Sequence, residues 1–272
     1  MEGQIVKIIS NDYFVKTNNK EYICKARGKF RQENITPKVG DFCLFDEKEK
    51  VIKEIRPRKN TLSRPLVSNI DQAFIVTSLK NPNFSSNLLD KLICICILNN
   101  IEPVICLTKK DLLNKNEYKT LKKIINYYKK LGIKVVYNKN INKIKKLLKH
   151  KTTVFTGQTG AGKSSLMNKL DKNLNFETNE ISKALGRGKH TTRIVSLVEI
   201  NKGKVLDTPG FSDIDLSVYK KEDIRDSFKE FKNKCKYINC MHVNEKECIV
   251  KELVNKNVIL KSRYENYIKF IK

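Results

Sequence analysis

Eight consecutive residues, Gly157-Gln158-Thr159-Gly160-Ala161-Gly162-Lys163-Ser164, carry the spacing G-x-x-x-x-G-K-S of a phosphate-binding loop. The chemistry requires these types. Glycines let successive backbone N–H groups turn inward onto polyphosphate oxygens, where a Cβ would obstruct them. Lys163 would reach the β- and γ-phosphates, and the Ser164 hydroxyl would ligate Mg²⁺, with Ser165 the next residue in contact range. Residues 153–156 read as a strand before the loop and 165–170 as a helix after it, the context in which this spacing binds phosphate.

Two further motifs bear on which nucleotide is held. Asp207-Thr208-Pro209-Gly210 follows a strand and has the form D-x-x-G, in which the Asp orients Mg²⁺ through water and the Gly N–H meets a γ-phosphate. Thr108-Lys109-Lys110-Asp111 also follows a strand and has the form [NT]-K-x-D. Its carboxylate can accept both donors on the guanine Watson–Crick edge, which adenine does not offer, while the lysine stem lies along the base. Either motif alone is a weak signal. The three together point to GTP with Mg²⁺.

A third constellation is Cys235-x4-Cys240-x-His242-x5-Cys248. Three thiolates and one imidazole suit tetrahedral structural Zn²⁺, with no position left for water. The other five cysteines, Cys24, Cys43, Cys94, Cys96 and Cys106, lie in apolar surroundings and read as small core residues.

The elements that position these groups fall into three stretches. Residues 4–9, 13–16, 21–25, 41–46 and 51–55 read as five short strands, the pattern of a small closed barrel of the OB type, with Lys25, Arg27, Lys29 and Arg31 in a basic loop. Residues 56–60 read as a linker. From residue 63 strands and helices alternate: strands at 73–77, 103–107, 135–137 and 153–156, helices at 88–98, 118–130 and 141–148. That alternation predicts a parallel sheet covered by helices. Residues 194–200 and 204–206 read as a hairpin around Asn201-Lys202-Gly203, and beyond residue 223 the chain becomes helical. The fold class is therefore multidomain: an all-β OB-type barrel over 1–60, a P-loop α/β domain over 63–213, and an α-helical zinc-binding domain over 214–272.

The motif order departs from that of an ordinary GTPase, where the phosphate loop comes first and the guanine motif last. Here the guanine motif comes first and D-x-x-G last, yet each stands at the C-terminal end of a strand, where open α/β sheets bind ligands. A circular permutation accounts for the order.

Composition sets outer limits. The chain has 272 residues, 40% of them hydrophobic, and no apolar run long enough to span a bilayer. Its first residues have no secretory-signal character, which leads to an expected cytoplasmic location. The net charge of +26 attracts polyanions and favours an RNA partner. Lys outnumbers Arg 46 to 9, as an A+T-rich coding sequence would encode, so part of the excess is compositional.

With Arg64-Pro65, Asn69-Ile70-Asp71-Gln72, the permuted motif order, Gly186-Arg187-Gly188-Lys189-His190-Thr191-Thr192-Arg193 and the cysteine cluster, the whole chain resembles the circularly permuted ribosome-biogenesis GTPases of the RsgA/YjeQ/YloQ group. The resemblance implies an OB barrel, a permuted GTPase core and a zinc domain. It also implies GTP hydrolysis stimulated by the 30S subunit late in its maturation, contact with 16S rRNA, and a monomer in solution. Thr191 or Thr192 would be the switch threonine closing on Mg²⁺ and γ-phosphate. Phe211 occupies the place where many GTPases carry a water-orienting Gln, and a phenyl ring cannot orient water by hydrogen bonding. His190, beside the switch threonine, is one candidate to orient or polarise the water, and an arginine-lined RNA or protein surface could equally supply the missing group. Thr108 stands where Asn is commoner, and no Ser-Ala loop is recognisable near Tyr137-Asn138-Lys139-Asn140. An ATPase or kinase, and a non-enzymatic RNA-binding scaffold, are the rival readings; Asp111 speaks against the first, and a subunit-stimulated hydrolysis rate would exclude the second.

Overall fold

The computed structural model describes residues 1–18, 20–62, 66–171, 195–207, 215–232 and 235–272. The elements run β1 (Glu2–Ile9), β2 (Asp12–Thr17), β3 (Lys20–Ala26), α1 (Lys29–Gln32), β4 (Phe42–Asp46), β5 (Val51–Ile55), β6 (Thr61–Leu62) and β7 (Val67–Ser68). Then come β8 (Gln72–Ser78), α2 (Ser86–Leu98), β9 (Glu102–Thr108), α3 (Lys115–Lys130), β10 (Lys134–Tyr137), α4 (Ile141–Leu148), β11 (Thr152–Gly157) and α5 (Lys163–Leu170). β12 (Ser196–Ile200), β13 (Gly203–Asp207), α6 (Lys221–Ser227), α7 (Ile249–Asn255) and α8 (Lys261–Phe270) complete the series. Among the described residues no helix is long and apolar enough to cross a membrane. The chain divides into two compact units, each described by itself below.

The first unit comprises the described residues of Met1–Ala73, Ile141–Thr156 and Ser164–Phe211. Five strands close into the expected barrel: β1 pairs with β2, β2 with β3, β3 with β5, β5 with β4, and β4 returns to β1. Inward-facing Ile5, Val15, Cys24, Cys43, Phe45 and Ile52 fill it, and all are buried. Bulges between Ile5 and Lys7 and between Leu44 and Phe45 supply the extra local twist that closure of so few strands needs. Lys29, at the tip of the expected basic loop, opens the short helix α1.

The stretch expected as a linker is pinned instead. The fully buried Asp41 carboxylate accepts both Nε and Nη2 of Arg58 at 2.8 Å, Ser68 Oγ at 2.6 Å and the Lys38 N–H at 2.7 Å. A buried carboxylate is tolerable only with such a full complement of donors. Asn69 Nδ2 donates to the Gly40 carbonyl, and Asp71 and Gln72 then fasten the chain to β11. The Asp71 N–H donates to Thr152 O, the Thr152 N–H to Asp71 Oδ2, and Gln72 Nε2 to Thr153 Oγ1. The Asn69-Ile70-Asp71-Gln72 run is thus a set of stitches along the backbone. β6 and β7 form a small antiparallel pair that the sequence reading did not include.

In the same unit β11 lies parallel to β13, β13 antiparallel to β12, and β12 meets β1 of the barrel at Ser196 and Lys7. The β12–β13 turn is the expected one, with Asn201 and Lys202 both at positive φ, as the right-handed twist of a tight hairpin demands.

The second unit comprises the described residues of Phe74–Asn140, Gly157–Lys163 and Ser212–Lys272. β10 is parallel to β9, and β8 is the other neighbour of β9. β8 is buried along its whole length, as suits a strand covered on both faces. α2 is capped by Ser85, whose hydroxyl accepts the Leu88 N–H at 3.2 Å. α3 opens on a capping box: Asn114 Oδ1 accepts the Glu117 N–H at 2.9 Å, and Glu117 Oε2 accepts the Asn114 N–H at 2.8 Å. Cys94, Cys96 and Cys106 are buried, and burial pushes the Cys94 and Cys106 thiols up to about 11 and about 12, so they behave as small core residues.

α8 packs on α2 through a buried polar cluster. Asp90 of α2 accepts Arg263 Nη1 at 2.6 Å, the Tyr128 hydroxyl at 2.6 Å and Asn266 Nδ2 at 2.7 Å. Arg263 also pairs with Glu230 and lies over the Phe228 ring, 4.6 Å from its centroid. The helical C-terminal part therefore shares its packing with α2 and α3.

Candidate functional site

The phosphate loop runs off the end of β11. Gly157, Gly160 and Gly162 all have positive φ. Gly157 has a second constraint: a Cβ there would lie 2.1 Å from the Val76 carbonyl of β8, so no other residue fits without displacing a strand. Lys163 curls over the loop and donates from Nζ to the carbonyls of Gly157 at 2.7 Å and Gln158 at 3.0 Å. Its ammonium therefore already lies at the lip of the loop, and oxygens of a polyphosphate can take over those donors. The Ala161 N–H donates to Gln158 O, closing the inner turn, while Thr159 and Gly160 are exposed. Lys163 and Ser164 are the first two residues of α5, where orphan N–H groups and the helix dipole favour an anion. Ser165 follows and is exposed.

Thr108, at the end of β9, is buried, and its hydroxyl donates to the Ala161 carbonyl at 2.7 Å. Thr108-Lys109-Lys110-Asp111 and the phosphate loop are thereby bonded to one another. Where Asn is commoner, the Thr108 hydroxyl thus makes one bond to the loop. Lys109 adopts a left-handed conformation and its ammonium donates to the Asn81 carbonyl. Lys110 points elsewhere, its ammonium 4.2 Å from the Tyr118 ring centroid and 5.4 Å from that of Tyr137. The two phenols meet at 3.2 Å, and that bond, followed by the nearby ammonium, draws the Tyr118 pKa below its ordinary value.

Asp111 is exposed and lines an open cavity of about 490 Å³ together with Lys110, Tyr137, Asn138, Lys139 and Asn140. Lys139 Nζ is 3.5 Å from its carboxylate. The Asn138 N–H donates to Leu107 O, which fixes the start of the 138–140 loop against β9. Residues with no recognisable Ser-Ala signature thus stand beside Asp111, and their position after β10, next to β9 in register, was the signal that could have found them.

The second chemical centre is the cysteine cluster. The ligand atoms of Cys235, Cys240, His242 and Cys248 all lie within 4.8 Å of one another. His242 Nδ1 is 3.3 Å from Cys248 Sγ and 3.7 Å from Cys235 Sγ, near the roughly 3.5 Å expected between donors on one tetrahedral ion of this bond length. Burial pushes the Cys240 thiol up to about 12 and lowers the His242 pKa, so the imidazole is available as a neutral donor. Buried thiols gathered this closely need a cation to become thiolates, so the donor set fits a metal. The surrounding shell fixes the backbone. Tyr264 and Tyr267 donate to the carbonyls of His242 and Met241 at 2.7 and 2.5 Å, and Glu245 accepts the N–H groups of Met241 and Val243 at 2.7 and 2.8 Å. Tyr264 and Tyr267 of the last helix therefore pack there and position the backbone of the cluster.

His190, Thr191, Thr192, Gly210 and Phe211 lie outside the described residues, as does Arg64-Pro65. Asp207 is the last residue of β13 and pairs through its backbone with Ser196.

Comparison with known proteins agrees along the chain. Residues 55–217 match the family model described as RsgA GTPase, and residues 2–51 match the RsgA N-terminal domain. A small ribosomal subunit biogenesis GTPase RsgA 2 from Oceanobacillus iheyensis is 44% identical over 281 residues, covering 99% of this chain and 96% of that protein. A small ribosomal subunit biogenesis GTPase RsgA from Clostridium novyi is 45% identical over 277 residues, again covering 99% and 96%. The crystal structure of YloQ, a circularly permuted GTPase, superposes with a TM-score of 0.83 at 33% identity, covering 99% of this chain and 93% of that one. YjeQ from Thermotoga maritima superposes with a TM-score of 0.85 at 33% identity, covering 99% and 96%. The order of Thr108–Asp111 before the phosphate loop is in keeping with a circularly permuted GTPase, and the chain belongs to the RsgA GTPase family, in its circularly permuted form.

Proposed function

We propose that this chain binds GTP with Mg²⁺ and hydrolyses it to GDP and phosphate in the late maturation of the 30S ribosomal subunit, which stimulates the reaction. The observation that carries the nucleotide reading is the bond from Thr108 to Ala161, which sets a guanine-reading carboxylate and a phosphate loop in one fixed frame. In that reading Asp111 accepts from the guanine edge, and Lys109 covers the base. The loop N–H groups and Lys163 hold the β- and γ-phosphates, and Ser164 with Thr191 or Thr192 holds Mg²⁺. Mg²⁺ supplies charge neutralisation on the phosphate oxygens when bound. Water attacks the γ-phosphorus as the bond to the β–γ bridging oxygen breaks, and phosphate and GDP leave. His190 orients that water in place of the absent Gln.

The Cys₃His cluster holds Zn²⁺ as a structural ion, with four protein ligands and no open position. The relatives named for small-subunit biogenesis support the ribosomal partner, and the +26 charge supports contact with 16S rRNA in the cytoplasm. The test is GTP hydrolysis with and without purified 30S, 50S and 70S particles, with ATP as competitor. Stimulation by 30S and indifference to ATP are expected; equal competition by ATP would sink the guanine assignment. For His190→Ala, the stimulated single-turnover rate is expected to fall about 10²-fold, and an unchanged rate removes His190 from catalysis.

A further inference from the structure

Within the first unit the barrel and the β12–β13 hairpin meet in a square of four side chains. Gln4 and Lys16 are cross-strand partners on β1 and β2. Glu199 and Lys204 are cross-strand partners on β12 and β13. Each member of one pair bonds a member of the other: Lys16 Nζ to Glu199 Oε1 at 3.0 Å, and Lys204 Nζ to Gln4 Oε1 at 2.5 Å. Together with Val6, Thr17, Asn18 and Leu197 they line a cleft of about 200 Å³. Lys204 is the half-buried corner; burial lowers its ammonium pKa, and the Glu199 carboxylate opposes that shift. Among the described residues the backbone pair along this edge is Lys7 with Ser196, and the square adds side-chain bonds to it.

The hairpin held in this way is also fastened at its turn. Asn201 Nδ2 donates to Lys145 O at 2.9 Å, the His150 N–H donates to Lys202 O at 2.9 Å, and the Lys204 N–H donates to Lys151 O at 2.9 Å. A Cβ at Gly203 would lie 2.0 Å from the Leu148 carbonyl, so the turn is seated tightly against the loop that leads into β11. The opposite end is the Ser196–Asp207 pair. Ser196 follows the 186–193 segment in the chain and Asp207 opens the D-x-x-G, so both switch segments are rooted at the end that the turn contacts do not hold.

We infer that the Gln4–Lys16–Glu199–Lys204 square is a positioning clasp, through which engagement of the barrel sets the switch roots for hydrolysis and, reciprocally, the nucleotide state is felt in the barrel. The four are positioning residues, none of them in the nucleotide site, and the inference rests on the GTPase reading of the switch segments. Exposed ion pairs contribute little to stability, so substituting Lys16 or Glu199 leaves the fold intact and removes a geometric link. Coupling of this kind is reciprocal, which makes it measurable without a ribosome.

The experiment is amide hydrogen exchange of residues 3–8 and 13–17, with GDP and with a non-hydrolysable GTP analogue. It is run on the parent chain, Lys16→Glu, Glu199→Lys and the charge-swapped double variant. Expected is a severalfold difference in exchange between the two nucleotides in the parent, its loss in each single variant, and its return in the double variant, with analogue affinity unchanged throughout. Glu199→Gln serves as a milder second variant should a charge reversal disturb folding. No nucleotide-dependent difference in the parent, or a difference that survives in the single variants, overturns the clasp. Subunit-stimulated turnover is measured on the same proteins, where the single variants should lower the maximal rate about fivefold at unchanged half-saturating subunit concentration. If the exchange result holds but 30S particles do not stimulate the parent, the clasp stands and the ribosomal part of the proposed function falls.

Discussion

At the scale of single residues, Thr108 shows how one hydroxyl can serve where a larger amide is commoner. Its donor reaches Ala161 O at 2.7 Å in a buried setting, so removing it leaves a carbonyl of the phosphate loop without a partner. An unsatisfied buried group of this kind costs about 1–3 kcal/mol. Thr108→Val keeps the shape and β-branching and removes only the donor. GDP affinity measured by titration calorimetry is expected to fall about tenfold in Thr108→Val, while Thr108→Ser, which keeps the hydroxyl, should lose less than half of that in free energy. Equal losses in both would place the effect in packing and not in the bond. This contact was not legible in the sequence, because it joins residues 53 apart and depends on where the loop turns. The motif itself was legible because its pattern is local: the spacing G-x-x-x-x-G-K-S is complete within eight consecutive residues.

At the scale of elements, strands and helices were readable in short segments of strand- or helix-forming residues, as in β5 and α4, whose bounds agree with the reading and the second of which carries helical apolar spacing. What sequence could not show was the third dimension. Residues 56–60 look like a linker because Pro57, two arginines and Asn60 carry no periodicity, yet a buried Asp41 seventeen residues away from Arg58 captures them. The Asp90–Arg263–Glu230 cluster is likewise invisible in a string, since its members are spread over three elements. Both carboxylates and the guanidinium are buried, so truncating the cation strands two charges. Arg263→Met is expected to destabilise by about 3–5 kcal/mol, lowering the midpoint of thermal unfolding by roughly 10 °C in calorimetry. A shift within 2 °C would show that the cluster is a minor contributor. The metal cluster makes a separate claim on the same helices. Because Tyr264 and Tyr267 bond the carbonyls of His242 and Met241, loss of the ion should loosen the face of α8 that packs there. Chelation is expected to release about one equivalent of zinc and to raise amide exchange in α8 at least tenfold, with α3 unchanged. Retention of α8 protection after zinc release would mean that the aromatic packing, and not the ion, holds this region.

At the scale of the whole molecule, two terms contribute to a ribosomal encounter, and they can be separated. The +26 charge supplies attraction to any polyanion, and that attraction falls steeply with salt. It hardly depends on whether GDP or GTP is bound, because one phosphate changes the total by a small fraction. On the proposed GTPase reading, a dependence on nucleotide must come instead from the 186–193 and 207–210 segments, the second of which stands just before the C-terminal helices and the Cys₃His cluster in the sequence. In an unpermuted order the guanine motif would follow the D-x-x-G, and the segment after the switch would lead back into the nucleotide domain. In the sequence residues 208–214 stand between β13 and the 215–272 region, so on the proposed GTPase reading contacts made or lost at the γ-phosphate would bear on the part of the chain next in line. Affinity for 30S particles is therefore expected to be about tenfold higher with a non-hydrolysable GTP analogue than with GDP, a coupling of about 1.4 kcal/mol. Measured across a salt series, the two nucleotide forms should give parallel lines of log affinity against log salt, offset by that factor. Equal affinities would refute the coupling. Lines that converge as salt rises would assign the difference to charge and leave the switch with no role in release.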